Sequence, residues 1–305
     1  MRTEGNIAGE LAERVSPATV ICCDELLAKH TTLRVGGPAD VYAEPASEED
    51  LAAVLKFCGA RGVPIFVIGR GSNLLVRDGG YRGVVICLSH PDFSKIEIGG
   101  ERLRCGAGAK LKNVAIEARR YGLSGLEFLE GIPGSVGGAL RMNAGAMGGA
   151  TFDVVELVRL MDFDGNTREL TPAEMSVKYR GCATLRNHIA LGAVLKGRAD
   201  SPESIAQRMS AFSQKRWSSQ PAAPSAGCAF KNPPSIPAGK LIDELGLKGA
   251  RVGGAVVSQE HGNFIVNDGT ATARDVLELI ALLQAKAKSA RGIELHTEVE
   301  IIGEE

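Results

Sequence analysis

Hydrophobic positions in the first third of the chain follow two spacings, one typical of helices and one typical of buried strands. Four apolar residues at helical spacing lie between the capping-box sequence Ser47–Asp50 and Gly62, and this pattern predicts a helix. Short runs of branched apolar residues at 63–68 and 84–88 predict buried strands. The mixture of the two elements indicates an α+β protein.

Helix signals recur in the last third of the chain. The pair Ser201-Pro202 has the residue types preferred at the start of a helix, and we expect this helix to continue to Trp217. A further helix is predicted from a capping box that begins at Thr272 to a stop signal at Gly292. Both helices indicate that the α+β character extends to the C-terminus.

Strand patterns and a shift in composition indicate a second domain. Apolar residues at 253–257 and 293–302 predict two strands, the second with one exposed acidic face. The composition changes near residue 200, and a proline- and alanine-rich stretch follows the predicted helix. We therefore expect one domain over 1–199 and another over 200–305.

Charge, apolar runs and cysteines limit the class of protein. The 35 Lys and Arg residues oppose 36 Asp and Glu residues, so the chain lacks the positive field of a nucleic-acid binder. The first fifteen residues contain no apolar stretch of signal-peptide length, and no apolar run reaches the length of a membrane span. Seven cysteines without a CxxC pair and five dispersed histidines favour reduced thiols, a cytoplasmic location and no metal site.

Glycine is enriched and clustered, which directs attention to two loops. The chain has 38 glycines, and seven of them lie within 131–149, too many for a stable isolated helix. That segment and the loop 69–73 could bind a phosphate or pyrophosphate through convergent backbone N–H groups. Neither the GxGxxG pattern after a strand nor the P-loop pattern occurs, so a dinucleotide would need another fold. For 69–73, a tight turn after a strand remains an equal alternative.

A series of motifs gives the chain a resemblance to a known family. Eight of them occur in order at suitable spacing, and together they resemble UDP-N-acetylenolpyruvoylglucosamine reductases from about residue 30 to 302. The motifs are His30–Gly37, Gly69–Val76, Gly131–Gly138, Asn143–Gly145, Tyr179-Arg180, Ala226–Pro233, Leu247–Gly249 and Asn263–Asn267.

The resemblance implies a fold and an activity. The implied fold has an FAD-binding portion of the vanillyl-alcohol-oxidase type, made of two α+β subdomains, followed by a C-terminal α+β substrate-binding domain. The implied enzyme is a cytoplasmic flavoprotein, a monomer, that uses NADPH to reduce bound FAD. It then reduces UDP-N-acetylglucosamine enolpyruvate to UDP-N-acetylmuramate for peptidoglycan synthesis.

The resemblance also implies which residues contact the flavin and its pyrophosphate. They are the glycines and small polar residues of the two glycine loops, with one arginine upstream of them. The implied cofactor residues are Arg34, Gly69, Gly71, Ser72, Asn73, Gly131, Pro133, Gly134, Ser135, Gly138, Asn143 and Gly145.

Reduction of an enol ether requires a group that stabilises the developing enolate and an acid that protonates the α-carbon. The resemblance places the first role on Arg180 with Glu298 as its carboxyl partner, and the second on Cys228, where the family more often has serine. A thiol has an ordinary pKa of about 8.5, so it is a stronger acid than a hydroxyl. Without the motifs, a surface cation and a small buried thiol would be the simpler interpretations of Arg180 and Cys228.

Substrate contacts are implied for Tyr179, Arg216 and Asn232. Only 47 residues, none of them tyrosine, separate Arg180 from Cys228. The chain thus resembles a compact subclass that lacks the tyrosine-bearing insertion of other members. Two other functions remain open, namely an FAD-dependent oxidase on the same fold and a nucleotide-sugar-binding protein without catalysis.

Overall fold

A computed structural model describes residues 7–305, so the first six residues of the predicted domain 1–199 lie outside the described part. Helices and strands alternate along the chain. The α-helices are α1 Ile7–Ala12, α2 Glu48–Arg61, α3 Leu111–Arg120, α4 Val136–Met142, α5 Pro202–Trp217, α6 Ala238–Glu244 and α7 Ala273–Arg291.

Most of the strands are short. They are β1 Val20–Leu26, β2 Pro38–Glu44, β3 Ile65–Ile68, β4 Leu74–Val76, β5 Tyr81–Cys87, β6 Ile96–Gly99, β7 Arg102–Gly106, β8 Leu123–Ser124, β9 Gly145–Ala146, β10 Gly149–Ala150, β11 Val155–Asp162, β12 Thr167–Leu170, β13 Val177–Lys178, β14 Gly181–Cys182, β15 His188–Lys196, β16 Arg198–Ala199, β17 Ser225–Cys228, β18 Arg251–Val252, β19 Ala255–Val257, β20 Phe264–Asn267 and β21 Glu300–Ile302.

The chain forms two compact units, and each is assembled from separate segments. Within the described residues, the first unit consists of 7–24, Val41–Arg70 and Gly83–Gln214, and the second consists of Glu25–Asp40, Gly71–Arg82 and Lys215–Glu305. The sequence patterns divide the chain at a single point, whereas these units are discontinuous. The assignment of binding roles to 1–199 and 200–305 stays a prediction.

The first unit has two hydrophobic cores, each associated with a sheet. One sheet has the order β1-β2-β5-β3, with β3 parallel to β5, and its core includes Leu51 and Leu55 of α2. The other is antiparallel with the order β12-β11-β15-β7-β6. Its core includes Leu160 of β11 and Ile205 and Met209 of α5. Two sheet-and-helix layers of this kind agree with the two α+β subdomains expected from the sequence.

The second unit has one core between an antiparallel sheet and two helices. Its sheet has the order β17-β20-β19-β18, and α6 and α7 supply Leu241 and Leu283 to the core. Leu33 and Leu75, from distant parts of the sequence, are buried in the same core. The terminal strand β21 pairs in parallel with β4. This pairing joins residues 74–76 to the C-terminal strand within one unit.

The capped helices form where the sequence patterns predict them. Ser47 caps α2 by accepting a 3.1 Å hydrogen bond from the backbone N of Asp50, and Gly62 ends the helix with φ = 64°. Thr272 likewise caps α7 and Gly292 ends it with φ = 66°. Glycine suits these left-handed end positions because it has no Cβ to clash. These predictions are confirmed.

Asp50 in the first turn of α2 also fastens the preceding segment. Its carboxylate accepts hydrogen bonds of 2.7 Å and 2.6 Å from the backbone N and the Oγ of Ser16, and of 2.8 Å from Thr19 Oγ1. Burial of Asp50 raises its pKa, but these hydrogen bonds together lower it further, so the pKa lies below its ordinary value. The ionised carboxylate is therefore the form that stabilises this part of the first unit.

Two predicted strands are wrong in extent. The run 253–257 is broken, because Gly253, with φ = 50°, and Gly254 form the turn between β18 and β19. The run 293–302 is a regular strand only over Glu300–Ile302. Upstream of it, Glu298 donates its backbone N–H to Ala229 O, so the segment changes its pairing partner within a few residues. Hydrophobic pattern alone does not show such a change.

The glycine content of the segment 131–149 predicts no stable isolated helix, but the folded segment contains the short helix α4. The backbone N–H groups of Val136 and Gly137 donate to the carbonyls of Ala109 and Ala107, at 2.9 Å and 2.8 Å. Leu140 of the same helix is fully buried in the core. Contacts with the rest of the first unit thus stabilise a helix that would not persist in isolation.

Candidate functional site

The two glycine loops meet in the first unit at Gly69 and Ser135. A Cβ atom built on Gly69 would lie 2.9 Å from Ser135 Oγ, so the loops approach too closely for a side chain at that position. Ser135 is buried and caps α4, its Oγ accepting from Gly138 N at 3.4 Å. Next to Pro133, Gly134 accepts a 3.1 Å hydrogen bond from Leu111 N. The structure therefore places these predicted cofactor residues side by side.

Gly131 and Gly138 are glycines that the protein itself does not require. Neither has a positive φ. A Cβ at Gly131 would lie 3.9 Å from Ala146 Cβ, and a Cβ at Gly138 would lie 3.6 Å from Ser135 Oγ, both ordinary van der Waals distances. A side chain would therefore fit against the protein at both positions. Bare backbone at these two points fits a ligand that lies directly on the main chain, as predicted for FAD.

Asn143 connects the end of α4 with the segment that leads to Tyr179 and Arg180. It ends the helix in the left-handed region with φ = 40°, which asparagine tolerates better than most residues. Its Nδ2 donates to Lys178 O at 3.2 Å, and its Oδ1 accepts from Phe152 N at 3.2 Å. Asn143 therefore has a structural role in this chain in addition to the predicted cofactor contact.

Gly145, the last of the predicted cofactor residues, lies in the hairpin of β9 and β10. A Cβ there would lie 2.7 Å from Gly149 O on the facing strand. Strand packing alone accounts for glycine at this position. The residue type at 145 therefore adds no independent support for a ligand contact.

Tyr179 and Arg180 form the two-residue turn between β13 and β14. Strand pairing puts Lys178 opposite Gly181, and Arg180 adopts φ = 56°. This left-handed conformation costs an arginine about 1–2 kcal/mol. The guanidinium carbon of Arg180 lies 5.1 Å from the centre of the Tyr179 ring, and 67% of Tyr179 is exposed. Arg180 itself is partly buried. Strained backbone beside an exposed tyrosine is typical of functional positions.

In the second unit, the turn that contains Arg34 adopts a second strained conformation. Arg34 has φ = 60° and is exposed, while Leu33 and Val35 on either side are buried. Thr31 Oγ1 donates to Val35 O at 3.1 Å, and Asn267 Nδ2 donates to Leu33 O at 3.0 Å. These contacts hold the turn in place, and the strained conformation lies at Arg34, a predicted cofactor residue.

Gly71 and Ser72 lie against other predicted site segments of the second unit. A Cβ on Gly71 would lie 2.3 Å from His30 O, and Gly71 has φ = 58°, so only glycine fits. A Cβ on Gly227 would lie 3.6 Å from Ser72 O. The loop 71–73 therefore borders the segment that carries Cys228.

Asn73, Cys228 and Glu298 lie on connected segments of the second unit. Asn73 Nδ2 donates to Glu298 O at 3.1 Å, and Glu300 N donates to Asn73 O at 3.0 Å. Glu298 N donates to Ala229 O at 2.8 Å, so the residue after Cys228 pairs with Glu298. Cys228 and Glu298 are both partly buried. The structure thus brings a predicted cofactor residue next to two predicted catalytic residues.

The two predicted substrate residues of the second unit have different surroundings. Asn232 Oδ1 accepts from Ala238 N at 3.0 Å and so binds the first N–H group of α6. This bond fixes the orientation of the Asn232 amide and leaves both of its N–H donors for the predicted substrate contact. The guanidinium carbon of Arg216 lies 5.3 Å from the centre of the exposed Trp217 ring.

Thr32 has a supporting role that the sequence did not predict. In the second unit its Oγ1 donates to Ser225 O at 2.7 Å, and its backbone N donates to Gly71 O at 3.2 Å. It therefore links the His30–Gly37 motif to the loop 71–73 and to the start of β17. The residue is part of a quoted motif, but a threonine in a loop gives no signal of its own.

Within residues 7–305, no group of three or more His, Cys, Asp or Glu side chains is arranged to hold a metal ion. The same part of the chain contains no helix that is long and apolar enough to span a membrane. All seven cysteines are free thiols.

Comparisons with known proteins decide the family. The family model for an FAD binding domain matches residues 39–171, and the model for the C-terminal domain of UDP-N-acetylenolpyruvoylglucosamine reductase matches 220–302. A UDP-N-acetylenolpyruvoylglucosamine reductase from Syntrophomonas wolfei is 44% identical over 95% of this chain and 97% of its own length. The chain belongs to the UDP-N-acetylenolpyruvoylglucosamine reductase family.

Further relatives agree with this membership. A UDP-N-acetylenolpyruvoylglucosamine reductase from Clostridium tetani is 43% identical over 92% of each chain. The crystal structure of the reductase from Thermus caldophilus superposes with a TM-score of 0.82 at 41% identity, covering 93% of this chain and 99% of that one. The predicted fold class is confirmed, and the match to an FAD binding domain confirms FAD as the cofactor of this family member.

Proposed function

We propose that the chain is an NADPH-dependent reductase that converts UDP-N-acetylglucosamine enolpyruvate to UDP-N-acetylmuramate in peptidoglycan precursor synthesis. The observation that carries this proposal is the 44% identity, over 95% of the chain, to a UDP-N-acetylenolpyruvoylglucosamine reductase. The retained motifs include Tyr179-Arg180 and the segment that contains Cys228. Free thiols support the cytoplasm as the proposed location. A monomeric state stays a prediction.

FAD, when bound, supplies hydride transfer between NADPH and the substrate double bond. We assign its binding to the backbone of Gly69, Gly131 and Gly138 in the first unit, with Ser135 as a buried hydroxyl beside them. In the second unit we assign it to the loop 71–73. Main chain without side chains fits this role because several N–H groups can then approach a pyrophosphate directly.

Cys228 is the proposed proton donor. Its Sγ–H would deliver a proton to the α-carbon of the enolpyruvyl group, and the resulting thiolate would regain a proton from water at neutral pH, because the ordinary pKa of a thiol is about 8.5. The backbone pairing of Ala229 with Glu298 holds this segment on both sides, since β17 also pairs with β20. A donor on a braced segment keeps a fixed orientation, which general acid catalysis requires.

Arg180 and Glu298 are the proposed stabilisers of the charge that develops on the substrate. The Arg180 guanidinium can donate two parallel hydrogen bonds to the substrate carboxylate, a geometry that lysine cannot provide. The turn conformation at φ = 56° sets the direction of the Cα–Cβ bond of Arg180. The Glu298 carboxyl group would hydrogen-bond to the same developing charge in its protonated form.

Tyr179, Arg216 and Asn232 are the proposed substrate contacts. Arg216 can bind the diphosphate of the nucleotide sugar, and Tyr179 offers an exposed ring and a hydroxyl group. For Asn232 we propose that the amide N–H groups contact substrate, since its amide oxygen already accepts one hydrogen bond from Ala238 N.

An anaerobic two-step titration tests the proposal. Purified protein should carry FAD absorbance that bleaches on addition of NADPH and returns on addition of UDP-N-acetylglucosamine enolpyruvate. NADH serves as the matched donor in a parallel titration. Return of the colour only with oxygen would support an oxidase, and bleaching without any return on substrate addition would contradict the reductase.

A further inference from the structure

Thr32 bonds two segments of the second unit that are distant in sequence and both belong to the predicted site. Its Oγ1 donates to Ser225 O at 2.7 Å, and its backbone N donates to Gly71 O at 3.2 Å. The Oγ1 also lies 3.3 Å from Gly71 O. A hydroxyl group has one proton, so it serves the shorter contact, which is to Ser225 O. The side chain and the backbone of one residue thus hold two different segments.

The two segments also approach each other close to the points that Thr32 holds. A Cβ built on Gly227 would lie 3.6 Å from Ser72 O, an ordinary van der Waals distance. Ser72 directly follows Gly71, and Gly227 comes two positions after Ser225. The bonds of Thr32 therefore lie beside this approach and limit how far the loop 71–73 and the segment of Cys228 can separate.

The segment between Ser225 and Cys228 is not a regular strand. Its pairing with β20 places Ser225 opposite Val266. Cys228 lies opposite Phe264, so three positions along β17 correspond to two along β20. Gly227 lies inside this bulge and has φ = 75°. A bulge bends its strand and changes the direction of neighbouring side chains, so its ends must be fixed for Cys228 to keep one orientation.

Different residues hold the two ends of the bulge. On the C-terminal side, Asn263 accepts from Ala229 N through its backbone O at 2.8 Å and from Phe230 N through its Oδ1 at 2.9 Å. On the N-terminal side, the Thr32 hydroxyl donates to Ser225 O. Loss of that hydroxyl would loosen one end of the bulge and leave the other end fastened. The expected result is a changed direction of Cys228 in a strand that still forms.

We propose that Thr32 is a positioning residue, which fixes Cys228 relative to the loop 71–73 through the hydrogen bond from its hydroxyl to Ser225 O. This inference rests on the proposed function, because it takes Cys228 to be the proton donor and the loop 71–73 to hold FAD. Thr32 acts through the main chain of Ser225, whereas Cys228 supplies the proton.

Two substitutions at Thr32 test the role of the hydroxyl. Thr32→Ala removes it and Thr32→Ser retains it, and both keep the backbone N–H that donates to Gly71 O. In anaerobic stopped-flow, Thr32→Ala should slow the reoxidation of reduced FAD by UDP-N-acetylglucosamine enolpyruvate about 10-fold, part of the roughly 100-fold that a misplacement of 1 Å can cost. Reduction of FAD by NADPH should be nearly unchanged, because it does not use the proton donor. Thr32→Ser should reoxidise at close to the wild-type rate.

A double-mutant cycle separates the positioning of Cys228 from a general structural effect. In Cys228→Ala the donor is absent, so its position no longer matters. The variant that combines Thr32→Ala with Cys228→Ala should therefore reoxidise no more slowly than Cys228→Ala alone. A purely structural role of Thr32 would instead slow reoxidation by the same factor in both backgrounds.

Thr19→Ala is the matched control. Thr19 is a threonine of the first unit whose Oγ1 donates to Asp50 Oδ2 at 2.8 Å. Its acceptor is an ionised carboxylate, so its loss should lower the thermal midpoint at least as much as Thr32→Ala does. Thr19→Ala should leave the rates of both half-reactions unchanged.

Four results would overturn the inference. They are reoxidation of Thr32→Ala at the wild-type rate, equal slowing of both half-reactions in that variant, the same factor of slowing in the Cys228→Ala background, or a Thr32→Ser variant as slow as Thr32→Ala. Normal reoxidation in Cys228→Ala would instead contradict the proposed proton donor itself. If Thr32→Ala does not fold, Thr32→Val, which keeps the volume of the side chain, takes its place in each comparison.

Discussion

The variant Gly138→Ala tests whether glycine at position 138 is needed for the stability of the protein or for the binding of FAD. Gly138 lies in the first turn of α4, its φ is not positive, and a Cβ would lie 3.6 Å from Ser135 Oγ. The added methyl group therefore fits without a clash. We expect the variant to be more stable than the wild type when FAD is absent and to bind FAD less tightly.

Both effects have an expected size. Alanine in place of a helical glycine stabilises by about 0.5–1 kcal/mol, chiefly because the unfolded chain loses freedom. For a chain of this length that corresponds to a rise of about 1–3 °C in the thermal midpoint. A methyl group inserted between backbone and a closely packed ligand costs about 1–3 kcal/mol, so the dissociation constant of FAD should rise about 5- to 150-fold.

Gly59→Ala provides the matched control. Gly59 lies in α2, and a Cβ there would meet no atom within 4 Å. This variant should gain similar stability and bind FAD as the wild type does. Thermal unfolding of FAD-free protein and titration with FAD give both quantities for each variant, and the two must be compared without cofactor because bound FAD itself raises the midpoint.

Unchanged FAD affinity in Gly138→Ala would contradict the placement of FAD against the main chain at position 138. Glycine at this position would then have no explanation in either the protein or the ligand. A loss of stability in Gly138→Ala, with a gain in Gly59→Ala, would show that α4 is packed more tightly than the distance to Ser135 indicates.

The remaining predictions concern three other positions. Cys228→Ala should leave reduction of FAD by NADPH intact and slow its reoxidation by the enolpyruvyl substrate about 100-fold, whereas Cys228→Ser should retain activity; normal turnover of the alanine variant in stopped-flow would refute the assignment. Arg180→Gly should raise the free energy of unfolding by up to about 1 kcal/mol, because it relieves the strained φ, and abolish reoxidation by substrate; Arg180→Ala should lose the activity without the gain in denaturant unfolding. The lowered pKa of Asp50 means that its stabilising effect is present above the ordinary value of 3.8 and is lost as the pH falls through its lower value in the folded protein. Asp50→Asn should therefore lower the free energy of unfolding at neutral pH. In acid, the free energies of unfolding of the variant and the wild type should become more similar, and a difference that stays constant across the pH range would contradict this.

Local signals predicted the elements whose ends are fixed by nearby residues. The capping box at Ser47 and the glycine at 62 define α2 without reference to the rest of the chain, and the same holds for α7. The segment 293–302 could not be predicted in this way. Its pairing with residues near 229 and then with β4 depends on contacts between distant parts of the sequence.

The sequence could predict the residues of the candidate site but not the hydrogen bonds that hold them in place. The family resemblance indicated Cys228 and Glu298, whereas the hydrogen bond from Asn73 to Glu298 O and the contacts of Thr32 required coordinates. Motifs identify groups that perform chemistry and leave out the groups that hold them.

The pairing of Asn73 with Glu298 cannot form until late in the synthesis of the chain. These residues are 225 positions apart in sequence. At translation rates of about 5–20 residues per second, the earlier one waits roughly 10–45 s for its partner to leave the ribosome. During that interval the unpaired edge of β4 and the buried face of Leu75 are exposed, which favours aggregation and makes them targets for chaperones. A chain truncated before residue 298 would lack both Glu298 and strand β21, so Asn73 and β4 would stay without these partners.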